Sequence, residues 1–225
     1  MEKEKSIVIR KIALRVMIYA VGLVCLSAGL TLSTKVGLGT SPVISTPFVV
    51  SQIWGLPLGD MAFIWDCVFI AAQVVMHLVR RADNLKSVLL KDALQVLTSL
   101  FTTRFVNLFS MVIPEFQSLW ARFLFMLTAI VLIGIGAALS LSMRLVANPA
   151  DGFVQAIADL GRWNMGTVKN VVDFTCVAIA AIVALIFTHT VIGIGIGTIA
   201  AALLVGRVIA LISKLFGQKL QKVAE

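Results

Sequence analysis

Asp66 and Asp173 each sit inside a long apolar run, where an ionisable residue is hardest to accommodate. Each falls about eight residues into its run, roughly 12 Å along a helix at about 1.5 Å per residue. A carboxylate held there costs at least about 2.5–3.5 kcal/mol unless it meets water or a partner, so an acid at that depth is a candidate for binding a coupling proton or a cationic group. If the helices start later, near Ala62 and Lys169, both acids become first-turn residues at an interface, favoured by the helix dipole. The sequence leaves both readings open.

The second set is Ser41-Pro42 and Asn148-Pro149. Ser or Asn at the N-cap, followed by proline at the first helical position, starts a helix: the side-chain oxygen accepts from a free backbone N–H, and proline has none to satisfy. Two short helices are predicted, Pro42 to Trp54 and Pro149 to Trp163, each too short to cross a membrane. Their N-termini offer free N–H groups and a positive dipole end to an anionic or carbonyl group; the alternative is a purely structural turn. Asp151 counters that positive end in the second. Trp54 and Trp163 suit an interface. The third set is Asp92, Gln95, Ser99 and Thr102, at steps of three and four on one face of a helix. With Lys91, Arg104 and Asn107, that helix is too polar to face lipid all round. It either lines a wet path or hydrogen-bonds its neighbours.

These residues recur in register. Asp66 and Asp173 are 107 apart, as are Gly29 and Gly136, Leu32-Ser33 and Leu139-Ser140, Pro42 and Pro149, Gly59 and Gly166, and Ala71 and Ala178. The elements that must position them are membrane helices. The chain is 60% hydrophobic and 13% charged, with a mean hydropathy of +1.02, against about 45–50% and about 25% in soluble domains. Six windows suffice to span about 30 Å of hydrocarbon: Leu14–Thr34, Leu58–Val79, Val88–Ser110, Trp120–Leu141, Gly166–Phe187 and Gly193–Ser213. Three spans per copy is an odd number, so the second copy must insert upside down. The fold expected is an all-α membrane protein of six transmembrane helices, as two inverted three-helix repeats over residues 1–110 and 111–225. In each, a short helix follows a break after the first span. Aligning Arg104 with Arg207 requires a connection four residues shorter in the second copy.

The net charge of +8 lies between the apolar runs and at the ends rather than on a basic helix with base-stacking aromatics, so membrane orientation explains it and nucleic acid is not an expected partner. One side collects Lys3, Lys5, Arg10, Lys11 and Arg15, then Arg80, Arg81 and Lys86, then Arg144, Arg162 and Lys169, then Lys214, Lys219 and Lys222. The other has Lys35, Arg104 and Arg122. Both termini are expected in the cytoplasm. The first run is too long for a signal peptide and lacks an A-x-A site.

Ala28-Gly29-Leu30, Val36-Gly37-Leu38-Gly39-Thr40-Ser41-Pro42, the stretch from Gly136 to Asn148-Pro149 with Asp151-Gly152, and Ile194-Gly195-Ile196-Gly197-Thr198 followed by Gly206 resemble the YczE/YyaS/YitT group of bacterial integral membrane proteins. The resemblance covers nearly the whole chain and implies a multi-pass protein of the bacterial cytoplasmic (inner) membrane. In that group Gly-x-Gly-Thr often opens the last helix of both halves; here the first half has Val88-Leu89-Leu90-Lys91-Asp92 in its place.

Cys25, Cys67 and Cys176 are far apart in apolar runs and read as small hydrophobic residues. His77 and His189, near helix ends, are not spaced for a metal and read as interfacial. No nucleophile motif, P-loop, zinc or haem signature is present, so neither an enzyme nor a cofactor is expected. The expected function is transport of a small molecule or ion by alternating access, with Asp66, Asp173, Ser41, Pro42, Asn148, Pro149, Asp92 and Gln95 as candidate site residues. The alternative is an accessory or scaffolding membrane protein that transports nothing. A homodimer is compatible with either.

Overall fold

A computed structural model describes residues 2–80 and 84–224, without the side chains of 2–8, 218, 219, 221, 222 and 224. Arg81 and the side chains of Lys3, Lys5, Lys219 and Lys222, which enter the charge argument, lie outside the described residues. The described residues form eight α-helices and no strand: α1 Glu2–Lys35, α2 Pro42–Trp54, α3 Leu58–Arg80, α4 Leu85–Val112, α5 Leu119–Ser142, α6 Pro149–Gly161, α7 Met165–Thr188 and α8 Ile196–Ala224. Within these, α1, α3, α5, α7 and α8 contain five segments long and apolar enough to cross a membrane. The chain is a multi-pass membrane protein. α4 has 28 residues, about 42 Å at about 1.5 Å per residue, but falls outside that set by composition. Its polar residues turn inward: Asp92, Gln95, Ser99, Thr102 and Thr103 are buried, while Leu90, Leu97 and Leu108 are exposed.

The core is the antiparallel crossing of α1 and α5. A Cβ on Gly29 would lie 2.7 Å from the Ile133 nitrogen and 2.9 Å from the Ala129 oxygen; one on Gly136 would lie 2.5 Å from the Leu26 nitrogen and 2.6 Å from the Gly22 oxygen. Only glycine lets backbone approach backbone this closely, which is how membrane helices gain contact without a hydrophobic drive between them. Arg15 donates to the Met143 carbonyl at 2.7 Å and Tyr19 to that of Val146 at 2.9 Å, fastening the start of α1 to the chain beyond α5.

Around this crossing, α4 packs on α1 and α8 on α5, α2 on α7 and α6 on α3. α3 and α4 are joined along their length, whereas α7 and α8 scarcely touch.

The first and last helices run past their expected apolar windows, to Glu2 and Ala224, and two inner boundaries shift. The short helix α6 stops at Gly161 rather than Trp163, because Arg162 takes a left-handed conformation (φ 54°) and closes it. The last helix begins at Ile196 rather than Gly193, because the segment before it is bonded to the break after α1. Thr40 N–H donates to the Gly193 oxygen and Gly197 N–H to the Leu38 oxygen, both at 2.8 Å. Gly39 and Gly193, with φ of 117° and 71°, take conformations that favour glycine.

Candidate functional site

α3 begins at Leu58 and α7 at Met165, so Asp66 and Asp173 lie eight residues inside their helices, not in the first turn. Asp173 is 7% exposed, and its Oδ1 has no hydrogen-bond partner. One turn before it, the Lys169 ammonium stands 3.9 Å from that oxygen and 3.6 Å from Asp151 Oδ1 on α6. Both distances exceed ordinary charge-assisted hydrogen bonds. A single lysine thus sits loosely between two carboxylates.

This cluster lines a cavity of about 180 Å³ shared with Ser41, Pro42 and Asn148. Leu26 and Leu30 of α1 and Ile133 and Ala137 of α5 close its back, level with the glycine crossing. The two helix breaks therefore face one space. Their caps differ. Asn148 Oδ1 accepts from Ala150 N–H at 3.4 Å, as its residue type leads one to expect. Ser41 occupies the N-cap position with extended backbone, but its hydroxyl makes no capping bond. Its own N–H instead donates to Ser33 Oγ at 3.3 Å. That corrects the expected side-chain cap at Ser41 and leaves the α2 terminus with less competition for its free N–H groups.

Asp66 lies next door. It lines a separate cavity of about 40 Å³, with Leu30, Val43 and Asn148 standing in the walls of both spaces. Ser99 on α4 donates to Asp66 Oδ2 at 2.6 Å. The remaining candidates are placed differently. Gln95 and Gln73 exchange amide hydrogen bonds of 3.1 and 3.0 Å, and Gln73 also donates to the Pro149 carbonyl at 3.0 Å. Asp92 pairs with His77 Nδ1 at 2.8 Å. Asn107 receives Gly59 N–H and donates to Asp60, which also meets Arg104. The polar face of α4 is thus engaged by α3 from end to end, and Asp92, Gln95 and Pro149 belong to this framework rather than to the cavity.

Lys169 and Gln73 were the least visible members. Lys169 reads as one more positive charge at a helix end, and Gln73 as an isolated polar residue in an apolar run. His77, expected at an interface, is the partner of Asp92. Among the described residues, no three His, Cys, Asp or Glu side chains converge closely enough to hold a metal ion.

No solved structure matches the chain. It is similar to two Bacillus subtilis (strain 168) proteins, each 26% identical: the uncharacterized protein YyaS, with 86% of this chain and 89% of the relative covered, and the uncharacterized membrane protein YczE, with 89% and 86%. Residues 13–214 match a family of unknown function, DUF6198. The chain accordingly belongs to that family and is a YczE/YyaS-like integral membrane protein.

Proposed function

We propose that the protein is a small-molecule or ion transporter of the bacterial cytoplasmic membrane, working by alternating access between two inverted repeats of three spanning helices. The observation that carries this reading is Asp173. A buried carboxylate oxygen with no hydrogen-bond partner and only a loosely placed lysine beside it, facing a cavity between two helix breaks, is a binding group with an open acceptor position.

Several features support the inverted architecture. The ends of α1 and α5, Lys35 and Ser142, are 107 apart, as are the starts of α2 and α6, their ends at Trp54 and Gly161, and the starts of α3 and α7. The same offset maps the contact of Gly29 with Ile133 onto that of Gly136 with Leu26, and relates Arg15, beside one break, to Arg122, beside Gly37 in the other. The packing of α2 on α7 maps onto that of α6 on α3. α4 serves as the sixth span, its polar face against α3 and its leucines outward. In the orientation that loop charge favours, with both termini cytoplasmic, the cavity between the breaks leads past Lys169 and Gly166 toward the cytoplasmic start of α7.

Equivalent places in the two halves are in different states: α3 and α4 are closed over Asp66, while α7 and α8 stand apart beside Asp173. Exchange of these two states between the halves is the motion alternating access needs. The polar α3–α4 seam favours the scaffolding alternative, since it uses Asp92 and Gln95 for packing alone. Purified protein in proteoliposomes, driven by a pH or sodium gradient and screened with organic cations, separates the two. Uptake abolished by joint Asp66→Asn and Asp173→Asn substitution supports transport; uptake that survives both removes the acids from the mechanism.

A further inference from the structure

The gap between α7 and α8 is a third cavity, of about 510 Å³, and Asp173 and Asn170 line both it and the space between the breaks. Its remaining walls are almost wholly apolar. Phe174, Ile199 and Leu203 at its lips are 75%, 64% and 61% exposed, so it opens sideways on the face that lipid covers. An apolar groove leading from the bilayer to a buried acid has the two-part character of an amphiphile. We propose that this groove admits an alkylamine from the bilayer, and that Asp173 Oδ1 receives the ammonium. The inference deepens the transport reading of the same site and rests on it.

The open acceptor decides the headgroup. Asp151 and Asp173 carry two negative charges against the one positive charge of Lys169. The N-terminus of α2, with no acidic residue in its first turn, adds only about half a positive charge. The N-terminus of α6, beside Asp151, adds a like half charge and brings the cluster near neutrality, so it is the open Asp173 Oδ1 that favours a group donating hydrogen bonds, as an ammonium does and a carboxylate does not. The vacancy itself has a local cause. In the alignment that matches Arg104 with Arg207, Ser99 corresponds to Ala202, and Ala202 faces the same gap as Asp173. Ser99 supplies a hydroxyl to Asp66; Ala202 has none to give Asp173. The second half is thereby left with an open acceptor where the first half has a closed one.

Native mass spectrometry of the purified protein, after incubation with dodecylamine, dodecanol, dodecanoate or butylamine, tests this. Dodecylamine should be retained at least tenfold more strongly than each of the other three. Asp173→Asn should reduce its retention at least tenfold. Ala202→Phe, which fills the groove from an exposed position on α8, should do the same while the protein stays monodisperse with unchanged helical circular dichroism. Equal retention of dodecanoate, or dodecylamine retention undiminished in both variants, overturns the proposal. Dodecylamine bound but not carried between leaflets of proteoliposomes upholds the site and refutes transport. Acid-dependent uptake of a water-soluble solute by protein that retains no dodecylamine upholds transport and refutes this inference.

Discussion

Gln73 and Gln95 form a closed pair at 1% and 4% exposure, and a double-mutant cycle on them measures what holds α3 to α4. Hydrogen bonds between membrane helices average about 0.6 kcal/mol and reach about 1.7. Gln73→Leu removes three of them, including the bond to the Pro149 carbonyl, for about 2 kcal/mol at the mean. Gln95→Leu removes two, for about 1.2 kcal/mol. The double variant loses the same three bonds as Gln73→Leu, so the singles over-count the shared pair and the coupling should be about 1.2 kcal/mol. Steric-trapping unfolding in bicelles reads each corner of the cycle. A coupling below about 0.3 kcal/mol, the scatter expected of independent sites, would refute the reciprocal pair and with it the assignment of Gln95 to the framework.

Three further outcomes are expected from the same measurement. Gly29→Ala and Gly136→Ala should each destabilise by about 1–3 kcal/mol, because the new Cβ meets backbone atoms that cannot swing aside. Lys169→Met, which strips the buried Asp173 and the half-buried Asp151 of their shared cation, should cost about 1–3 kcal/mol; Arg104→Met, at an exposed pair with Asp60, should cost less than about 1 kcal/mol. A larger loss for Arg104→Met would contradict the burial assigned to the Lys169 cluster. Asn148→Ala should cost about 1 kcal/mol through its lost cap, and Ser41→Ala distinctly less, since the Ser41 hydroxyl makes no capping bond.

Much of the helical framework was legible because membrane helices announce themselves by length and apolarity, and because proline after Ser41 and Asn148 marks a start with little ambiguity. Ends were less readable. The stop at Arg162 rests on a left-handed arginine where glycine would have signalled it. The late start of α8 depends on bonds to residues about 150 positions earlier, a tertiary effect with no local signature. The site was legible by position and not by partner. Asp173 could be marked as an intramembrane acid, but Lys169 and Asp151 approach it from one turn away and from another helix. The spacing of Asp92 and Gln95 revealed their shared face; only packing reveals that α3 occupies it.

The stitch between the α1 break and the segment before α8 has a consequence for synthesis. Leu38 and Thr40 receive their peptide partners from Gly197 and Gly193, which are synthesised about 150 residues later. Until then the first break carries polar backbone groups destined for burial without their bonds, at a cost of the kind that keeps such groups paired in finished proteins. A nascent chain stopped before Gly193 therefore lacks the backbone partners that complete the first break.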